Sequence, residues 1–338
     1  MSDIKKLDRN LVNMIAAGEV IERPASVVKE LMENSLDAGA GRITVEIENG
    51  GKKLISVTDD GSGIEPEQME LAFSAHATSK LHEPSDLQSV STMGFRGEAL
   101  ASIASVANVV AVSRTKNSDV GFSLEIDCGR KVGARPCNGS TGTNISVRDL
   151  FYKVPARRKF LKTVSTEMGH ITEYFNRIAL ANPQIAMTLK HNGRQVLNLS
   201  SVKRQRQRVE EIFSRETSEN LIELYSEEDG FSVSALLGRP AIARSNGKMQ
   251  YVFLNGRYIR DRIITHAVKD AYSGHMESGK FPVLFLFIDM PGSEVDINVH
   301  PTKAEVRFCR PQQVHSLIYG IIREKLSSVQ NDMPGRIP

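Results

Sequence analysis

The sequence predicts an α+β protein with two domains, and three observations support this prediction. The chain has 338 residues, and since domains commonly contain about 150 residues, two hydrophobic cores are expected. Hydrophobic residues make up 40% of the chain and charged residues 25%, which is typical of a folded protein and excludes a mostly disordered or collagen-like chain. Helical and strand patterns alternate over the first 200 residues, and the alternation starts again after a polar stretch at 201–212.

The composition also excludes several classes of protein. No apolar run approaches the ~20 residues of a membrane-spanning helix, and the charged start MSDIKKLDRN is not followed by the apolar stretch of a secretory signal. The three cysteines are odd in number and lack C-x-x-C spacing. Neither a disulfide framework nor a zinc site is therefore expected, and the predicted location is the reducing cytoplasm. The net charge of +3 does not by itself indicate nucleic-acid binding.

In the first domain, strands are predicted from alternating apolar residues and helices from a period near 3.6. A strand is predicted at 42–48, followed by the turn residues Asn49-Gly50-Gly51 and a return strand that begins at Leu54. Helices are predicted on either side of this hairpin and further along the chain, over 26–37, 68–74, 98–107 and 166–180. This order favours a mixed sheet with helices on one face.

The second domain is predicted to begin after a charged linker at 201–212. Asn255-Gly256 is the strongest signal for a hairpin turn in the chain. The last residues, 331–338, contain Pro and Gly and are predicted to form a loose tail. Strand patterns occur at 231–237, 251–254 and 283–288, and helical patterns at 263–272 and 314–326.

The predicted helix at 26–37 carries the first candidate site. Glu30, Asn34 and Asp37 fall on the side opposite its apolar residues, with Glu33 at the edge. This arrangement is typical of any amphipathic surface helix. The polar stripe itself contains no Lys or Arg, however, and a carboxylate one turn from an amide could position a water molecule and a Mg²⁺ ion together.

Two glycine-containing segments are further candidates. The motif DDGSGI at 59–64 is either a turn held by its aspartates or a loop in which a carboxylate accepts a hydrogen bond from a nucleotide base. The motif MGFRGEAL at 93–100 either starts a helix in the ordinary way or offers free N–H groups to an anion. The stretch 76–92 before it is rich in Ser, Thr and His and is predicted to be a lid. Neither a P-loop nor a dinucleotide-binding motif occurs.

Several motifs taken together resemble one protein family. KELMENSLDAG, DDGSGI, HATSK, GFRGEALASI and GTNISVRDLFYKVPARRKFLK occur in this order, followed by NGRYIRDR and DINVHPTKAEVRF. From residue 3 to residue 328, the chain resembles the N-terminal ATPase region and second domain of the MutL family of DNA mismatch repair proteins. The resemblance implies, at 1–200, an ATP-binding and hydrolysing two-layer α/β sandwich of the type shared by gyrase, Hsp90, histidine kinases and MutL. It also implies, at 213–330, a smaller α+β domain that resembles domain 2 of ribosomal protein S5.

The resemblance further implies roles for individual residues. Glu30 is expected to activate the attacking water as a catalytic base, Asn34 to hold Mg²⁺ against the triphosphate, and Asp59 to accept the adenine amino group. Lys303 is expected to reach the γ-phosphate from the second domain as a catalytic residue. Asp60 stands where many relatives have Asn, which we interpret as tuning rather than loss. The remaining ATP contacts are expected beside the base, in a lid at 74–97 and around the phosphates: Gly61, Gly63, Thr143, Thr78, Ser79, Lys80, Gly94, Phe95, Arg96, Gly97, Glu98, Ala99 and Leu100.

The resemblance also implies a contact with DNA. Arg262 matches a position that binds the DNA backbone in the family, and the neighbouring or similarly basic candidates are Arg260, Arg257, Arg157, Arg158, Lys159 and Lys162. Without the family, the basic runs at 153–162 and 203–208 are each typical of a solvated helix face. We expect neither a recognition helix nor aromatic residues interleaved with these basic residues. The predicted contacts with DNA phosphates are therefore independent of the DNA sequence and sensitive to salt.

The function expected from the resemblance is that of a mismatch repair protein in the bacterial cytoplasm, associated with the nucleoid. Slow Mg²⁺-dependent ATP hydrolysis would switch homodimerisation of this region, with residues 1–20 exchanged between protomers. It would also switch DNA binding and the coupling of a mismatch-recognition protein to a downstream helicase or endonuclease. Two alternatives stay open, the ATPase region of a type II topoisomerase and an ATP-gated scaffold that does not hydrolyse its nucleotide.

Overall fold

A computed structural model of the protein describes residues 21–78, 97–228, 230–296 and 306–331, without the side chains of residues 330 and 331. The chain forms two compact units that divide between Arg204 and Gln205. Within the described ranges, no helix is long and apolar enough to cross a membrane.

The first unit is built on a mixed sheet of eight strands in the order β5-β4-β3-β6-β2-β1-β7-β8. Strands β1 and β7 are parallel, and every other neighbouring pair is antiparallel. The mixed sheet predicted from the sequence is confirmed. The strands are β1 (Arg42–Glu48), β2 (Leu54–Asp59), β3 (Asn108–Arg114), β4 (Gly121–Asp127), β5 (Arg130–Cys137), β6 (Gly142–Arg148), β7 (Ala186–His191) and β8 (Arg194–Leu199).

Five described helices accompany this sheet, and four of them match the predicted helices with ends that differ by no more than two residues. Three begin with proline in the first turn, where its missing N–H leaves no hydrogen bond unmade. The longest begins after Thr163, whose side chain accepts a hydrogen bond from the N–H of Thr166. The helices are α1 (Pro24–Asp37), α2 (Pro66–Ala72), α3 (Ala99–Val106), α4 (Pro155–Phe160) and α5 (Val164–Ala181).

The core of the first unit lies where α1 meets the sheet. Along β1, Ile43, Val45 and Ile47 are buried and alternate with partly exposed residues, so one face of the strand is covered. Helix α1 contacts β2 and α5, and its apolar side is fully enclosed. Because this packing fixes α1 against the end of β2, the polar residues of the helix are held in place by the core.

The second unit contains a five-stranded mixed sheet in the order β12-β11-β13-β10-β9. The Asn255-Gly256 turn joins β11 to β12 with positive φ angles of 48° and 75° at its two residues, which confirms the predicted hairpin. Helices α8 and α9 pack against each other and share one apolar core with the sheet. The elements are α6 (Gln205–Ile212), α7 (Arg215–Glu219), β9 (Leu221–Glu228), β10 (Phe231–Gly238), β11 (Gln250–Leu254), β12 (Arg257–Ile259), α8 (Arg262–Ala271), β13 (Leu284–Asp289), β14 (Val295–Asp296), β15 (Arg307–Phe308) and α9 (Pro311–Asn331).

The charged segment 201–212 is not only a linker. Residues 205–212 form α6, and Arg208 on this helix has 0% of its surface exposed. Its Nη1 donates to Glu211 Oε2 at 2.9 Å, while Arg206 Nε donates to Glu223 Oε1 at 2.6 Å. The expectation of a linker is wrong for 205–212, and that of a solvated basic face is wrong for these two arginines. Of the predicted tail, Asn331 ends α9 and 332–338 lie outside the described residues.

Candidate functional site

Helix α1 carries two candidate residues on its half-exposed side. Glu30 has 22% of its side chain exposed, and Asn34 lies one turn further along the same face. Lys29 Nζ lies 2.8 Å from Glu30 Oε1 and 3.0 Å from Glu33 Oε2. Although the stripe itself contains no basic residue, a lysine from the adjacent position does compensate its carboxylates.

The environment of Lys29 strongly favours its charged, protonated form. Burial by itself lowers the pKa of this ammonium group, but the charges and hydrogen bonds of Glu33 and Glu30 outweigh burial and raise the pKa above its ordinary range. Lys29 therefore remains protonated and draws the Glu30 carboxylate into an ion pair.

Asp59, the last residue of β2, is the centre of a second group of polar atoms. Its Oδ2 accepts a hydrogen bond from Ser35 Oγ at 2.8 Å, so it joins β2 to α1. Its Oδ1 accepts from the N–H of Gly61 at 2.9 Å and from the N–H of Thr143 at 3.3 Å. A carboxylate offers about four acceptor positions, so these three donors leave capacity for one more.

The pKa of Asp59 is raised above its ordinary value of 3.8. Burial is the largest cause, since it disfavours the charged form, and the neighbouring charge of Asp60 acts in the same direction. The hydrogen bonds from Gly61, Ser35 and Thr143 favour the charged form and oppose the increase in pKa. Asp59 is thus a partly desolvated carboxylate whose negative charge depends on its donors.

Hydroxyl groups extend this arrangement across the sheet. Thr143 Oγ1 lies 2.9 Å from Ser113 Oγ, which in turn accepts from the N–H of Ile64 at 2.8 Å. Both Thr143 and Ser113 are buried. The polar cluster of Asp59, Ser35, Thr143 and Ser113 therefore connects α1, β2, β6, β3 and the loop after Asp59.

Asp60 has a different task from Asp59, although the two are adjacent. Its Oδ1 accepts hydrogen bonds from the N–H groups of Gly41 and Arg42, both at 2.8 Å. These bonds fix the chain where it enters β1. Asp60 therefore has a structural role that our interpretation of it as tuning did not include.

Gly61 and Gly63 are required by close approaches within the chain. A Cβ at Gly61 would lie 2.8 Å from Ala38 O at the end of α1, and at Gly63, where φ is +76°, it would lie 2.4 Å from Arg114 O. The glycines thus hold the loop against α1 and β3. These contacts within the chain are sufficient to explain why both positions are glycine.

The two ends of the segment expected to be a lid lie close together. The ring of His76 lies 3.3 Å from the Glu98 carboxylate, and a Cβ at Gly97 would lie 2.5 Å from Ala77 O. Thr78, Glu98, Ala99 and Leu100 are described and half-exposed, the last two in the first turn of α3, which has no side-chain cap. Outside the described residues lie the predicted contacts Ser79, Lys80, Gly94, Phe95, Arg96 and Lys303, together with residues 1–20.

The basic run at 153–162 includes side chains in different situations. Lys153 Nζ donates to Asp127 Oδ2 at 2.8 Å, and the guanidinium of Arg157 lies 6.0 Å from the centre of the buried Phe151 ring. By contrast, the three remaining basic side chains of this run extend into solvent: Arg158, Lys159 and Lys162.

In the second unit, Arg262 is the exposed first residue of α8, directly after the cap Asp261, whose Oδ1 accepts from the N–H of Ile264 at 3.0 Å. Arg262 lines an open cavity of about 370 Å³ together with His266, Asp270 and His315. Arg257 and Arg260 lie on and just beyond β12, close to Arg262 in the chain, and Arg260 Nε lies 3.2 Å from Tyr258 Oη.

Among the described residues, no group of three or more His, Cys, Asp or Glu side chains could hold a metal ion. Mg²⁺ takes few protein ligands when phosphate oxygens and water complete its coordination. Asn34 is half-exposed and lies one turn from Glu30, and an amide side chain is the type of group that can supply one oxygen to such an ion.

Comparison with known families assigns a class to each unit. A model of the histidine kinase-, DNA gyrase B- and HSP90-like ATPases matches residues 21–148. A model of the C-terminal domain of DNA mismatch repair proteins matches residues 209–327.

Curated relatives match nearly the whole chain. The DNA mismatch repair protein MutL of Pseudomonas fluorescens is 45% identical over 336 residues, which are 98% of this chain and 53% of the relative. That of Clostridium perfringens is 44% identical over 98% of this chain and 49% of the relative. The chain therefore spans about half the length of the curated relatives it matches.

Solved structures are also similar. The Aquifex aeolicus MutL ATPase domain complexed with ADP is 34% identical, with a TM-score of 0.61 over 80% of this chain and 93% of that one. A second structure shows the ATPase domain of the same protein, a mismatch repair endonuclease. It is 30% identical, with a TM-score of 0.64 over 91% of this chain and 99% of that one. The N-terminal domain of a DNA repair protein, at 22% identity and a TM-score of 0.82 over 96% of this chain and 100% of that one, has the same fold.

Proposed function

Because the chain belongs to the MutL family of DNA mismatch repair proteins, we propose that it hydrolyses ATP slowly and uses the nucleotide cycle as a switch in mismatch repair. The first unit binds and hydrolyses ATP, and both units contribute contacts to DNA. The match to the mismatch repair model in the second unit speaks against the topoisomerase alternative.

The unfilled acceptor capacity of Asp59 is the observation that carries the proposal. Its three donors are fixed by α1, β6 and the loop before Ile64, and a partly buried carboxylate with one acceptor position left suits a base that offers an amino group. Adenine carries such a group. Thr143 supports the adenine side and Gly61 and Gly63 border it, while the ADP bound to the Aquifex relative is consistent with a nucleotide in this fold.

Glu30 is the proposed general base. Its carboxylate is half-buried, and Asn34 on the next turn presents an amide for Mg²⁺, which supplies charge neutralisation for the phosphates. The residues that lie beyond the described part, from the lid segment and Lys303, are proposed phosphate contacts on the basis of the family. Lys29 Nζ engages Oε1 of Glu30, so Oε2 is the proposed acceptor for a proton of the attacking water.

DNA is the proposed partner, bound through its phosphates. Arg158, Lys159 and Lys162 in the first unit and Arg262, Arg260 and Arg257 in the second are basic, and contacts of this kind depend strongly on salt. Arg157 is less suited because its guanidinium lies over Phe151. We further propose an ATP-dependent homodimer that couples a mismatch-recognition protein to a downstream helicase or endonuclease in the cytoplasm.

A scaffold that binds ATP without hydrolysing it is the second candidate. The ion pair between Lys29 and Glu30 favours this candidate, since the ammonium group competes with a water molecule for the Glu30 carboxylate. The two candidates share the adenine site and differ only in whether Glu30 acts on water.

Steady-state ATP hydrolysis with Mg²⁺ tests the proposal and separates the candidates. Glu30→Ala should lower kcat at least about 100-fold, the usual contribution of a general base, while equilibrium binding of ATP is retained. Glu33→Ala is the matched control, because it removes the other carboxylate on Lys29 and should keep most of the turnover. Equal turnover in wild type and Glu30→Ala would contradict the assignment, and binding with no hydrolysis in the wild type would establish the scaffold.

A further inference from the structure

Phe160, at the end of α4, is an aromatic side chain in an unusual position. It is 78% exposed, more than any other large hydrophobic residue in the described ranges. It stands within the basic run, between Lys159 and Lys162, and both lysines are exposed together with Arg158. The expectation that no aromatic residue is interleaved with these basic residues is therefore wrong.

The exposure of Phe160 does not arise from a loose segment, since the chain is anchored on both sides of it. Before α4, Phe151 is fully buried and contacts the Arg157 guanidinium. After α4, the N–H of Lys162 donates at 2.8 Å to Oε1 of Glu167, a residue with only 1% of its surface exposed. The short helix between these anchors presents the Phe160 ring to solvent in a fixed place.

The surroundings of Phe160 are positively charged and suit a polyanion. No Asp or Glu occurs from residue 150 to residue 166. In the part of the chain that the structure describes, no ion pair involves Arg158, Lys159 or Lys162. An anionic membrane is a poorer occupant than a nucleic acid, because α4 has only six residues and exposes a single large apolar side chain.

We propose that Phe160 is a stacking platform for an unpaired base of single-stranded DNA, whose phosphates are held by Arg158, Lys159 and Lys162. In a duplex the faces of the bases are covered by their neighbours, whereas an unpaired base offers a free face to an aromatic ring. The inference rests on the proposed DNA contact of the basic run and adds to it a side chain that contacts a base. Such stacking is tolerant of sequence, because every base has a π face.

Three fluorescent probes test the inference on the whole chain: an oligothymidylate of about 20 nucleotides, an abasic strand of the same length, and a duplex. The abasic strand offers the same phosphates without bases. Wild type should bind the oligothymidylate at least about fivefold more tightly than the abasic strand, which corresponds to one stacked base. Phe160→Ala should remove this difference and leave the affinity for the abasic strand unchanged.

Matched variants make the result specific. Phe160→Trp should keep the preference for bases, and Phe160→Leu, which is apolar but has no ring, should lose it. Leu71→Ala, which removes another exposed apolar side chain, should bind all three probes as wild type does. Lys159→Ala should weaken binding of all three and reduce its dependence on salt.

Each contrary outcome has a defined meaning. If Lys159→Ala weakens binding but Phe160→Ala equals wild type on every probe, stacking is overturned and the proposed DNA contact remains. If wild type binds none of the probes, the proposed DNA contact itself fails. If Phe160→Ala changes only the ATP-dependent oligomeric state in sedimentation, the ring contacts a second copy of the chain and the inference is overturned.

Discussion

Asp59 in the first unit and Arg208 in the second are both charged side chains withdrawn from water, but their surroundings differ. Asp59 accepts hydrogen bonds from two backbone N–H groups and one serine, and it keeps acceptor capacity. Arg208 is completely enclosed and donates to Glu211 within the same helix. Burial raises the pKa of Asp59 and lowers that of Arg208, so in each case the charged form is disfavoured.

The difference shows what each buried charge serves. The donors of Asp59 come from three separate elements and point at a carboxylate that is only half-buried, which is the arrangement of a binding group. Arg208 fills space in the second unit and has no exposed surface that could meet a ligand. Changes at Asp59 should therefore alter binding, and changes at Arg208 should alter folding.

The largest change in stability is expected at Arg208. Arg208→Ala leaves a cavity and removes one charged partner of Glu211, and it should lower the free energy of unfolding by about 2–4 kcal/mol. Arg208→Met, which keeps most of the volume without the charge, should lose clearly less. Thermal unfolding followed by circular dichroism, with hydrogen exchange to localise the loss to the second unit, measures this. If Arg208→Ala were as stable as wild type, Arg208 would not serve folding, and the contrast with Asp59 as a binding group would be wrong.

A smaller effect is expected at Ser35, which donates to Asp59. Ser35→Ala should lower the free energy of unfolding by about 1 kcal/mol and weaken ATP binding, because the ionised Asp59 loses a donor. Ser56→Ala is the control, since Ser56 is also buried and lies 3.0 Å from Ser146 Oγ, in a pair that does not involve Asp59. Titration with a fluorescent ATP analogue should separate the two variants. Equal affinities would show that the bond to Asp59 has no part in binding.

The smallest effect is a dependence on pH. Between 3.8 and the raised pKa of Asp59, the folded protein binds more protons than the unfolded chain, so the contribution of this group to the unfolding free energy falls as pH rises. ATP affinity should move the opposite way, since the ionised carboxylate is the better acceptor. Asp59→Asn should remove both slopes when unfolding and binding are measured from about pH 4 to pH 7. Unchanged slopes in this variant would assign them to another group.

The sequence predicts those elements well whose pattern is strong and local. Strand β1 has the predicted bounds, and α1 and α5 end within two residues of the predicted positions, because periodicity and proline or asparagine signals determine them. The Asn255-Gly256 hairpin is likewise local. By contrast, the pairing of β1 with β7 joins residues more than 140 positions apart, and no local pattern indicates it.

At the level of side chains, tertiary contacts decide what the sequence leaves open. Lys29 falls outside the polar stripe by helical spacing, yet its long side chain reaches Glu30 and Glu33. Arg208 belongs to the basic run at 203–208, for which the sequence predicts a solvated helix face. It is buried only because of the packing of the second unit. Asp59 and Asp60 are the same residue type in adjacent positions, and their donors alone distinguish the binding group from the structural one.

Nucleotide selectivity at Asp59 tests the central claim most directly. Inosine triphosphate carries a carbonyl oxygen where ATP carries its amino group. Wild type should therefore bind ATP at least about tenfold more tightly, because a buried acceptor otherwise faces an acceptor. Asp59→Asn can keep the Gly61 and Thr143 bonds and turn its NH₂ group toward the base, so it should lose or reverse this preference. Because the NH₂ group cannot accept the hydrogen bond from Ser35, the loss of stability should be no larger than that of Ser35→Ala. Equal affinity of wild type for both nucleotides, or an undiminished preference for ATP in Asp59→Asn, would contradict the account.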